Sequence, residues 1–508
     1  MRYLIGIDLG TSGTKTVLFD QSGKAIASAS AEYPMHQPQN GWSEQEPLDW
    51  WNACVSTLQS VIKASDINPK DIAGVGISGQ MHGLVMLDKN GEVLRRCIIW
   101  NDGRTVRECA EITEIVGAER LIEITANPAL TGFTAGKILW VRRNEPELYA
   151  QCRHILLPKD FLRYKLTGEY ATEVSDASGM NLLDVPKRKW SDEVLTKLNI
   201  DPSMLPPVRE SYEIAGCITK EAATLTGLAE GTPVVGGAGD NAAAAIGTGT
   251  IRAGKMFCTV GTSAVIFAHS DNVAIDPAGR VHSFCSAVPG AWAVMSCTLS
   301  AGLSLQWLRN HFFTEEIQAA KGLYKDVYDI MCTQAEKVPI GANKLIFLPY
   351  LMGERSPLLD PYSRGVFFGL SATHSKYDML RAVLEGVIYS QKHCLEVLGG
   401  MKLVPGEILA TGGGGSSPLW RQMMADLFEC PIVTTTNREG PALGAAILAG
   451  VGAGIYPNVH KACDNIIKTN ASQYPIAENI TKYAPYYKIY RNLYPALKDN
   501  FTALSATT

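Results

Sequence analysis

The chain has 508 residues, 46% of them hydrophobic and 19% charged, and a formal net charge of −4. Charges of both signs are interspersed and no basic stripe occurs, so nucleic acid and anionic membranes are poor partner candidates. No run of about 18 apolar residues and no signal-peptide pattern occurs, which predicts a cytoplasmic protein. The length predicts about two to four structural units, and the 12 scattered cysteines indicate reduced, buried thiols rather than a zinc site.

The first predicted element is a hairpin with a turn rich in glycine and hydroxyl groups. The turn and its flank contain Gly10, Thr11, Ser12, Gly13 and Lys15. Backbone N–H groups and hydroxyls of such a turn bind phosphate well, and a lysine adds positive charge. Asp8 ends the preceding apolar strand and suits a magnesium ion held through its water shell. A plain hairpin with a buried, hydrogen-bonded Asp8 fits this segment equally well.

A glycine-bounded loop follows the next apolar strand. Gln80, Met81 and His82 lie between Gly79 and Gly83. The amide and the imidazole are predicted to face a ligand that carries hydroxyl groups. A single loop histidine is more often merely exposed to solvent, so both interpretations stay open.

Trp100, Asp102 and Arg104 follow a further short strand. An aromatic ring can cover the C–H faces of a sugar while nearby polar groups bind its hydroxyls. A buried salt bridge at the end of a strand has the same composition, so the segment alone does not decide between these alternatives.

Near the middle of the chain, the pattern predicts a strand, a glycine-rich turn and a helix that begins at Asp240. A valine pair and three glycines precede Asp240, and Asn241 and four alanines follow it. An acid at a helix start usually caps the helix. The missing side chains around this acid, however, leave room for another molecule to approach its carboxylate. We therefore predict that Asp240 is a catalytic base.

The hairpin pattern returns 251 residues after its first appearance. The repeated turn consists of Gly261, Thr262 and Ser263, again between apolar strands. This repeat predicts two similar halves, each opening a sheet with a strand, a phosphate-type turn and a strand. Two facing turns would hold a polyphosphate from both sides.

Two later segments are predicted to seat a nucleotide. A helix is expected to begin near Gly302, where small residues allow close approach. Farther on, a glycine-rich loop that includes Gly413 and Gly414 separates a strand from a helix starting at Pro418, with Ser417 as its cap. A strand, glycine-rich loop and helix start suit an adenosine, although a flexible connector explains the glycines comparably well.

Several motifs together resemble the FGGY family of carbohydrate kinases over nearly the whole chain, with the resemblance thinning after about residue 455. Besides the first hairpin, the motifs are Ser78-Gly-Gln-Met-His-Gly83, Trp100-Asn-Asp-Gly-Arg104, Phe133-Thr-Ala-Gly-Lys137, Gly239-Asp-Asn-Ala242, Gly261-Thr-Ser263, Gly353-Glu-Arg-Ser-Pro357 and Gly412-Gly-Gly-Gly415. The first hairpin is shared with other actin-like ATPases. The combination of Gly-Gln-Met-His-Gly with Gly-Asp-Asn is much more specific.

The resemblance implies an α/β protein of two ribonuclease-H-like, actin-like ATPase domains with a deep cleft between them. We expect residues 1–245 to bind mainly sugar and residues 246–508 to bind mainly ATP. The implied reaction is phosphorylation of a sugar by ATP with Mg²⁺, with D-xylulose as the favoured substrate and ribulose, glycerol or gluconate as alternatives. A homodimer is also expected from the family. The rival hypothesis is a non-enzymatic nucleotide switch built on the same fold.

The resemblance also implies roles for individual residues. Asp240 matches the family's base, and Asp8 matches the acid associated with magnesium. Met81, His82 and Asn241 match sugar-contacting positions, whereas the role of the segment from Trp100 to Arg104 transfers less securely. The nucleotide-facing positions are matched by Gly10 to Gly13, Gly261 to Ser263, Gly302 and the glycine run that contains Gly413 and Gly414.

Overall fold

The computed structural model describes residues 2–436 and 439–507. Its strands are β1 (Tyr3–Leu9), β2 (Gly13–Asp20), β3 (Ala25–Glu32), β4 (Glu44–Gln45), β5 (Ile72–Gly79), β6 (Val85–Leu87), β7 (Cys97–Ile98), β8 (His154–Leu156), β9 (Thr172–Glu173), β10 (Leu183–Asp184), β11 (Lys189–Trp190), β12 (Val208–Arg209), β13 (Ile214–Cys217), β14 (Pro233–Val235), β15 (Ala238–Gly239), β16 (Lys255–Val260), β17 (Ala264–Ser270), β18 (His282–Cys285), β19 (Trp292–Thr298), β20 (Ile346–Leu348), β21 (Val366–Phe368), β22 (Glu407–Thr411), β23 (Ile432–Thr435) and β24 (Thr469–Gln473).

Its α-helices are α1 (Pro47–Ser65), α2 (Val106–Val116), α3 (Ala118–Thr125), α4 (Thr134–Asn144), α5 (Pro146–Gln151), α6 (Pro158–Thr167), α7 (Val174–Ala177), α8 (Asp192–Lys197), α9 (Lys220–Thr226), α10 (Asp240–Thr248), α11 (Gly302–Phe312), α12 (Thr314–Leu323), α13 (Val327–Ala335), α14 (Lys376–Gly400), α15 (Gly412–Ser416), α16 (Pro418–Phe428), α17 (Gly440–Gly452), α18 (Val459–Ile466) and α19 (Ala477–Ser505). No helix in the described ranges is long and apolar enough to cross a membrane.

Two seven-stranded sheets of matching topology form the centre of the molecule. The first has the order β13-β14-β5-β1-β2-β3, with β15 also paired to β5, and the second has the order β18-β19-β17-β16-β22-β23-β24. In each sheet a central strand is antiparallel to the next strand along the chain and parallel to the strand on its other side: β1 with β2 and β5, and β16 with β17 and β22. The predicted pair of related α/β halves is therefore confirmed.

The repeated hairpins occupy equivalent places in the two sheets. The strand β1 ends at Leu9 and β2 begins at Gly13, and the corresponding strands end at Val260 and begin at Ala264. Both boundaries keep the offset of 251 residues. A three-residue turn thus joins the central strands of each half, as the sequence repeat predicted.

The helix α17 follows in the second half of the sequence but packs against the first sheet. A Cβ atom on Gly6 would lie 1.8 Å from the carbonyl oxygen of Ala442, and one on Gly76 would lie 2.0 Å from that of Ala445. Only glycine allows the helix backbone to approach β1 and β5 this closely. This later segment therefore completes the core of the first sheet. The predicted division of the chain at residue 245 stays a prediction.

The second-half helices match most of the predicted pattern. The helix α11 begins at Gly302, and α16 begins at Pro418 with the Ser417 hydroxyl accepting the N–H of Trp420. The glycine run was expected to be a loop, and this expectation is wrong. Residues Gly412–Ser416 form the one-turn helix α15, because the chain turns directly from β22 toward α16.

Candidate active site

The register of the first sheet brings two carboxylates to its edge. Asp8 in β1 pairs with Ser78 in the parallel strand β5, and Ala238 in β15 pairs with the same Ser78. Asp240 follows β15 immediately and is the first residue of α10. Its Oδ1 atom accepts the backbone N–H of Asn241 at 2.7 Å and the side-chain amide of Asn241 at 2.8 Å. The strands β1 and β15 thus flank β5, and Asp8 and Asp240 lie at the same end of the sheet.

The surroundings of the two acids change their acidity. Removal of the Asp240 carboxyl from water raises its pKa to about 6, with a further contribution from the negative charge of Asp8. Burial also raises the pKa of Asp8, although a hydrogen bond from Ser78 at 3.1 Å and the charge of Lys15 oppose this effect. A carboxylate with a pKa of about 6 is mostly ionised at neutral pH and is still basic enough to accept a proton, which is the property required of a general base.

Two neighbouring cavities lie next to the glycine run, and the first of them also borders Asp240. The first has a volume of about 660 Å³, and its lining includes Asp240, Asn241, Gly412 and Ser416. The second has a volume of about 450 Å³ and shares Ser416 with the first. The second cavity brings together most of the predicted nucleotide residues of the second half, namely Gly261, Thr262, Gly302, Gly413 and Gly414.

The start of α11 holds the second turn in place. The N–H groups of Ala301 and Leu303 donate to the Thr262 carbonyl, each at 3.0 Å, and the N–H of Gly302 donates to the Gly261 carbonyl at 2.8 Å. A Cβ atom on Gly302 would lie 2.4 Å from that same Gly261 oxygen. This close contact is possible only with glycine at position 302. The hydrogen bonds and the close contact make the turn and the helix start one rigid wall of the second cavity.

The first turn is anchored differently and is not part of the described lining of these cavities. The carbonyl of Thr11 accepts from the Gln45 amide at 2.6 Å, and its hydroxyl accepts from the Trp100 indole at 2.9 Å. Lys15 forms an ion pair with Glu439 at 2.5 Å. The nucleotide role predicted for Gly10 to Gly13, with Ser12 between them, remains a prediction.

The loop after β5 presents His82 with a defined protonation state. Its Nδ1 atom lies 2.7 Å from the carbonyl oxygen of Gly179, and its ring stacks on Phe133 with centroids 4.5 Å apart. Burial, followed by the positive charge of Lys137, holds the pKa of His82 well below its usual value. A neutral ring that donates from Nδ1 leaves Nε2 as a hydrogen-bond acceptor. Met81 packs against Gly239, the residue before Asp240, because a Cβ on Gly239 would be 2.8 Å from the Met81 Cγ.

Comparisons with known proteins agree with this arrangement. Residues 3–247 match the FGGY family of carbohydrate kinases, N-terminal domain, and residues 256–453 match the C-terminal domain of that family. The chain belongs to the FGGY family of carbohydrate kinases. The FGGY kinase described here is 39% identical over 506 residues to a xylulose kinase from Bacillus subtilis (strain 168), covering 100% of this chain and 99% of the relative.

Two further relatives bear on the fold and the substrate. A gluconokinase from Bacillus licheniformis is 33% identical over 506 residues, covering 99% of this chain and 98% of that protein. The crystal structure of a xylulose kinase from Rhodospirillum rubrum is 29% identical with a TM-score of 0.91, covering 99% of this chain and 100% of that one. The chain is therefore a carbohydrate kinase with the two-domain, actin-like ATPase fold, and its substrates are a sugar and ATP.

Three residues predicted to contact sugar in the FGGY kinase are already bonded within the protein. Arg104 and Asp102 are buried and pair at 2.7 Å, and the Arg104 guanidinium also lies 3.8 Å above the ring of Trp42. The Gln80 amide nitrogen donates to Gln45 at 2.8 Å. These contacts favour the alternative of a buried ion pair after the strand, and Gln80 helps hold Gln45 against the first turn. Of Trp100, Asp102 and Arg104, only Trp100 is exposed, at 38%.

Lys137 was missed as a site residue although its motif contributed to the resemblance. Its ammonium group donates to the carbonyls of His82 at 2.8 Å and Gly132 at 2.7 Å. Burial lowers the pKa of Lys137 to about 7. The signal in the sequence was a lysine next to the small and apolar residues of the first turns of α4, because a lysine in such surroundings is rarely buried without partners. Lys137 thus fixes the backbone that presents His82.

Proposed function

We propose that this kinase transfers the γ-phosphoryl group of ATP to the terminal (5-) hydroxyl of D-xylulose, giving D-xylulose 5-phosphate and ADP. The observation that carries the proposal is the Asp240 carboxylate, which has a raised pKa and borders a cavity that adjoins the glycine-lined one. The relatives named xylulose kinase support the choice of sugar.

In the proposed reaction, Asp240 accepts the proton of the sugar hydroxyl as its oxygen attacks the γ-phosphorus. The new O–P bond forms while the bond between the γ-phosphorus and the bridging oxygen breaks, and ADP leaves with that electron pair. Phosphoryl transfer depends mainly on positioning and charge stabilisation. His82 Nε2 accepts a hydroxyl of the sugar, and closure of the two halves excludes water, which would otherwise compete as the nucleophile.

The residues at the sheet edge fit a magnesium ion of the kind that binds nucleotides. Magnesium is usually held by one or two carboxylates together with waters and phosphate oxygens, and Asp8 and Asp240 are two carboxylates at the same end of the first sheet. No group of three or more His, Cys, Asp or Glu ligands occurs in the part of the chain that the structure describes. When bound, Mg²⁺ would neutralise phosphate charge, and Asp8 would hold it through water.

The proposal is tested by measuring ADP release from Mg-ATP with D-xylulose, D-ribulose, L-ribulose, glycerol, gluconate or no sugar. We expect a large stimulation by D-xylulose. Stimulation by gluconate alone would keep the reaction and the base but replace the substrate, in line with the gluconokinase relative. No stimulation by any compound would refute the proposal and favour the nucleotide switch.

A further inference from the structure

The segment around Arg355 is fixed against the end of strand β19. The carboxylate of the buried Glu354 accepts the N–H groups of Leu299 at 2.9 Å and Arg355 at 2.8 Å. The next N–H, that of Ser356, donates to the carbonyl of Cys297 at 3.0 Å. These three bonds hold the backbone of Arg355 beside the last residues of β19.

The side chain of Arg355, in contrast, is not engaged. It is half-buried, and its guanidinium forms no hydrogen bond or ion pair with any residue in 2–436 or 439–507. A guanidinium carries five N–H donors in a rigid planar group. A half-buried arginine on a fixed backbone, with all of these donors unused, is expected to serve a ligand.

The strand register relates β19, which lies next to Arg355, to the surface between the two halves. Met295 and Cys297 point to the same face of β19, because side chains alternate along a strand. Met295 pairs with His282 of β18 and belongs to an apolar cluster that includes Met81 and Phe133 of the first half. Phe133 is the ring on which His82 stacks. Arg355 is thus held next to a strand, β19, that contributes to the surface where the two halves meet around His82.

The charge of Arg355 acts on two histidines at this surface. The positive charge of Arg355 contributes, after burial, to lowering the pKa of His82 and also that of His282. The pKa of Asp240 is instead set by burial, Asp8 and Asn241. The charge of Arg355 therefore affects the acidity of the two histidines more than that of the carboxylate that receives the reacting hydroxyl.

His282, the second histidine affected by this charge, has an acceptor atom that its neighbours leave unused. The amide nitrogen of Asn127 donates to the carbonyls of Ser283 at 2.7 Å and Thr125 at 3.1 Å, so its oxygen is the group that faces His282 Nδ1 at 3.1 Å. His282 is neutral at pH 7, because burial lowers its pKa to about 3. Its proton is on Nδ1, and the buried Nε2 is an acceptor without a partner among the described residues.

We propose that Arg355 is a substrate-binding residue from the second half that donates to the oxygen atoms at the end of the sugar away from Asp240. This inference rests on the proposed function. In D-xylulose that end carries the C2 keto oxygen and the C1 hydroxyl, and in gluconate it carries the carboxylate. The keto oxygen and the carboxylate both accept hydrogen bonds from a guanidinium. Arg355 would favour ketoses and sugar acids over polyols, which have neither a carbonyl nor a carboxylate oxygen at that end.

The test compares Arg355→Ala and Arg355→Lys with Arg364→Ala. Arg364 is an exposed arginine of the same segment, and among the described residues its side chain donates to the nearby carbonyls of Pro361 and Ser363. Steady-state kinetics are measured with D-xylulose and with xylitol, in which the keto group is an alcohol. We expect Arg355→Ala to raise the KM for D-xylulose by about 10- to 100-fold, the range for losing a charge-assisted hydrogen bond, with the KM for ATP unchanged.

The preference for D-xylulose over xylitol should also fall in Arg355→Ala, and Arg355→Lys should recover part of it. Thermal unfolding of both variants confirms that they are folded. A sugar KM within about twofold of wild type in both variants, or equal rises for sugar and ATP, would overturn the inference.

Failure of the proposed function has a different signature, because the wild-type protein itself would then release no ADP with any sugar. In that case, calorimetry with D-xylulose and gluconate decides. Sugar binding that is lost in Arg355→Ala but kept in Arg364→Ala supports the arginine role, and no binding by the wild-type protein overturns it.

Discussion

Replacement of Asp240 by asparagine removes the proposed base while keeping the shape of the site. The amide oxygen of an asparagine can still accept the two hydrogen bonds from Asn241, now at 2.7 and 2.8 Å. The helix α10 should therefore start at the same place, and the contacts with the sugar should persist. The variant loses only the negative charge and the ability to take a proton.

The expected loss follows from the acidity of the group. With a pKa of about 6, Asp240 is about 90% ionised at pH 7, so the wild-type enzyme has nearly its full base at that pH. A positioned base contributes about 10²- to 10⁴-fold to the rate, or about 2.7–5.5 kcal/mol of barrier. We expect Asp240→Asn to lose activity on this scale.

The assay is ADP release at saturating Mg-ATP and sugar, together with calorimetric titration of sugar. Asp88→Asn is the matched control, because Asp88 makes the same kind of acceptor contacts in a turn outside the site. We expect Asp240→Asn to bind sugar with nearly unchanged affinity. Turnover within tenfold of wild type would show that Asp240 is not the base.

Three further predictions concern other residues of the candidate site. Asp8→Asn removes a negative charge that raises the pKa of Asp240, so the acid limb of kcat/KM, expected near pH 6 in the wild type, should move to lower pH; an unmoved or raised limb would contradict this coupling. His82→Ala should weaken sugar binding in calorimetry by at least about tenfold and ATP binding much less, and equal losses would make His82 structural. Gly302→Ala should raise the KM for ATP by about tenfold or more, because its Cβ would meet a carbonyl at 2.4 Å, whereas Gly399→Ala in α14, outside the site, whose Cβ meets nothing within 4 Å, should not; similar values for the two variants would refute the steric reasoning.

Local sequence patterns predicted the parts of the fold that depend on neighbouring residues. The two hairpins, the helix start at Asp240 and the cap at Ser417 each follow from a few consecutive residues. The residues Gly261, Gly302 and Gly414, which line one cavity, were each predicted to face a nucleotide from a turn, a helix start or a glycine run, whereas the predicted cleft between two facing turns stays a prediction.

Contacts between distant segments were not predictable in the same way. The pairing of Arg104 with Glu44 joins residues 60 positions apart, and a short motif cannot distinguish that ion pair from a sugar site. The helix α17 is made almost entirely of small and apolar residues, so it has no polar face from which its packing partner might have been read. Arg355 and His282 likewise meet the first-half loop only through the arrangement of both sheets.

The packing of α17 on the first sheet has a consequence for synthesis on the ribosome. Leu4, Val17 and Phe19 of the first sheet share an apolar core with Leu443 and Ile447 of this helix. The face that these residues form stays uncovered until the helix has been translated, roughly 200 residues after the end of α10. At about 5–20 residues per second this interval lasts roughly 10–40 s. The nascent first half must therefore stay soluble with an open apolar face for that time.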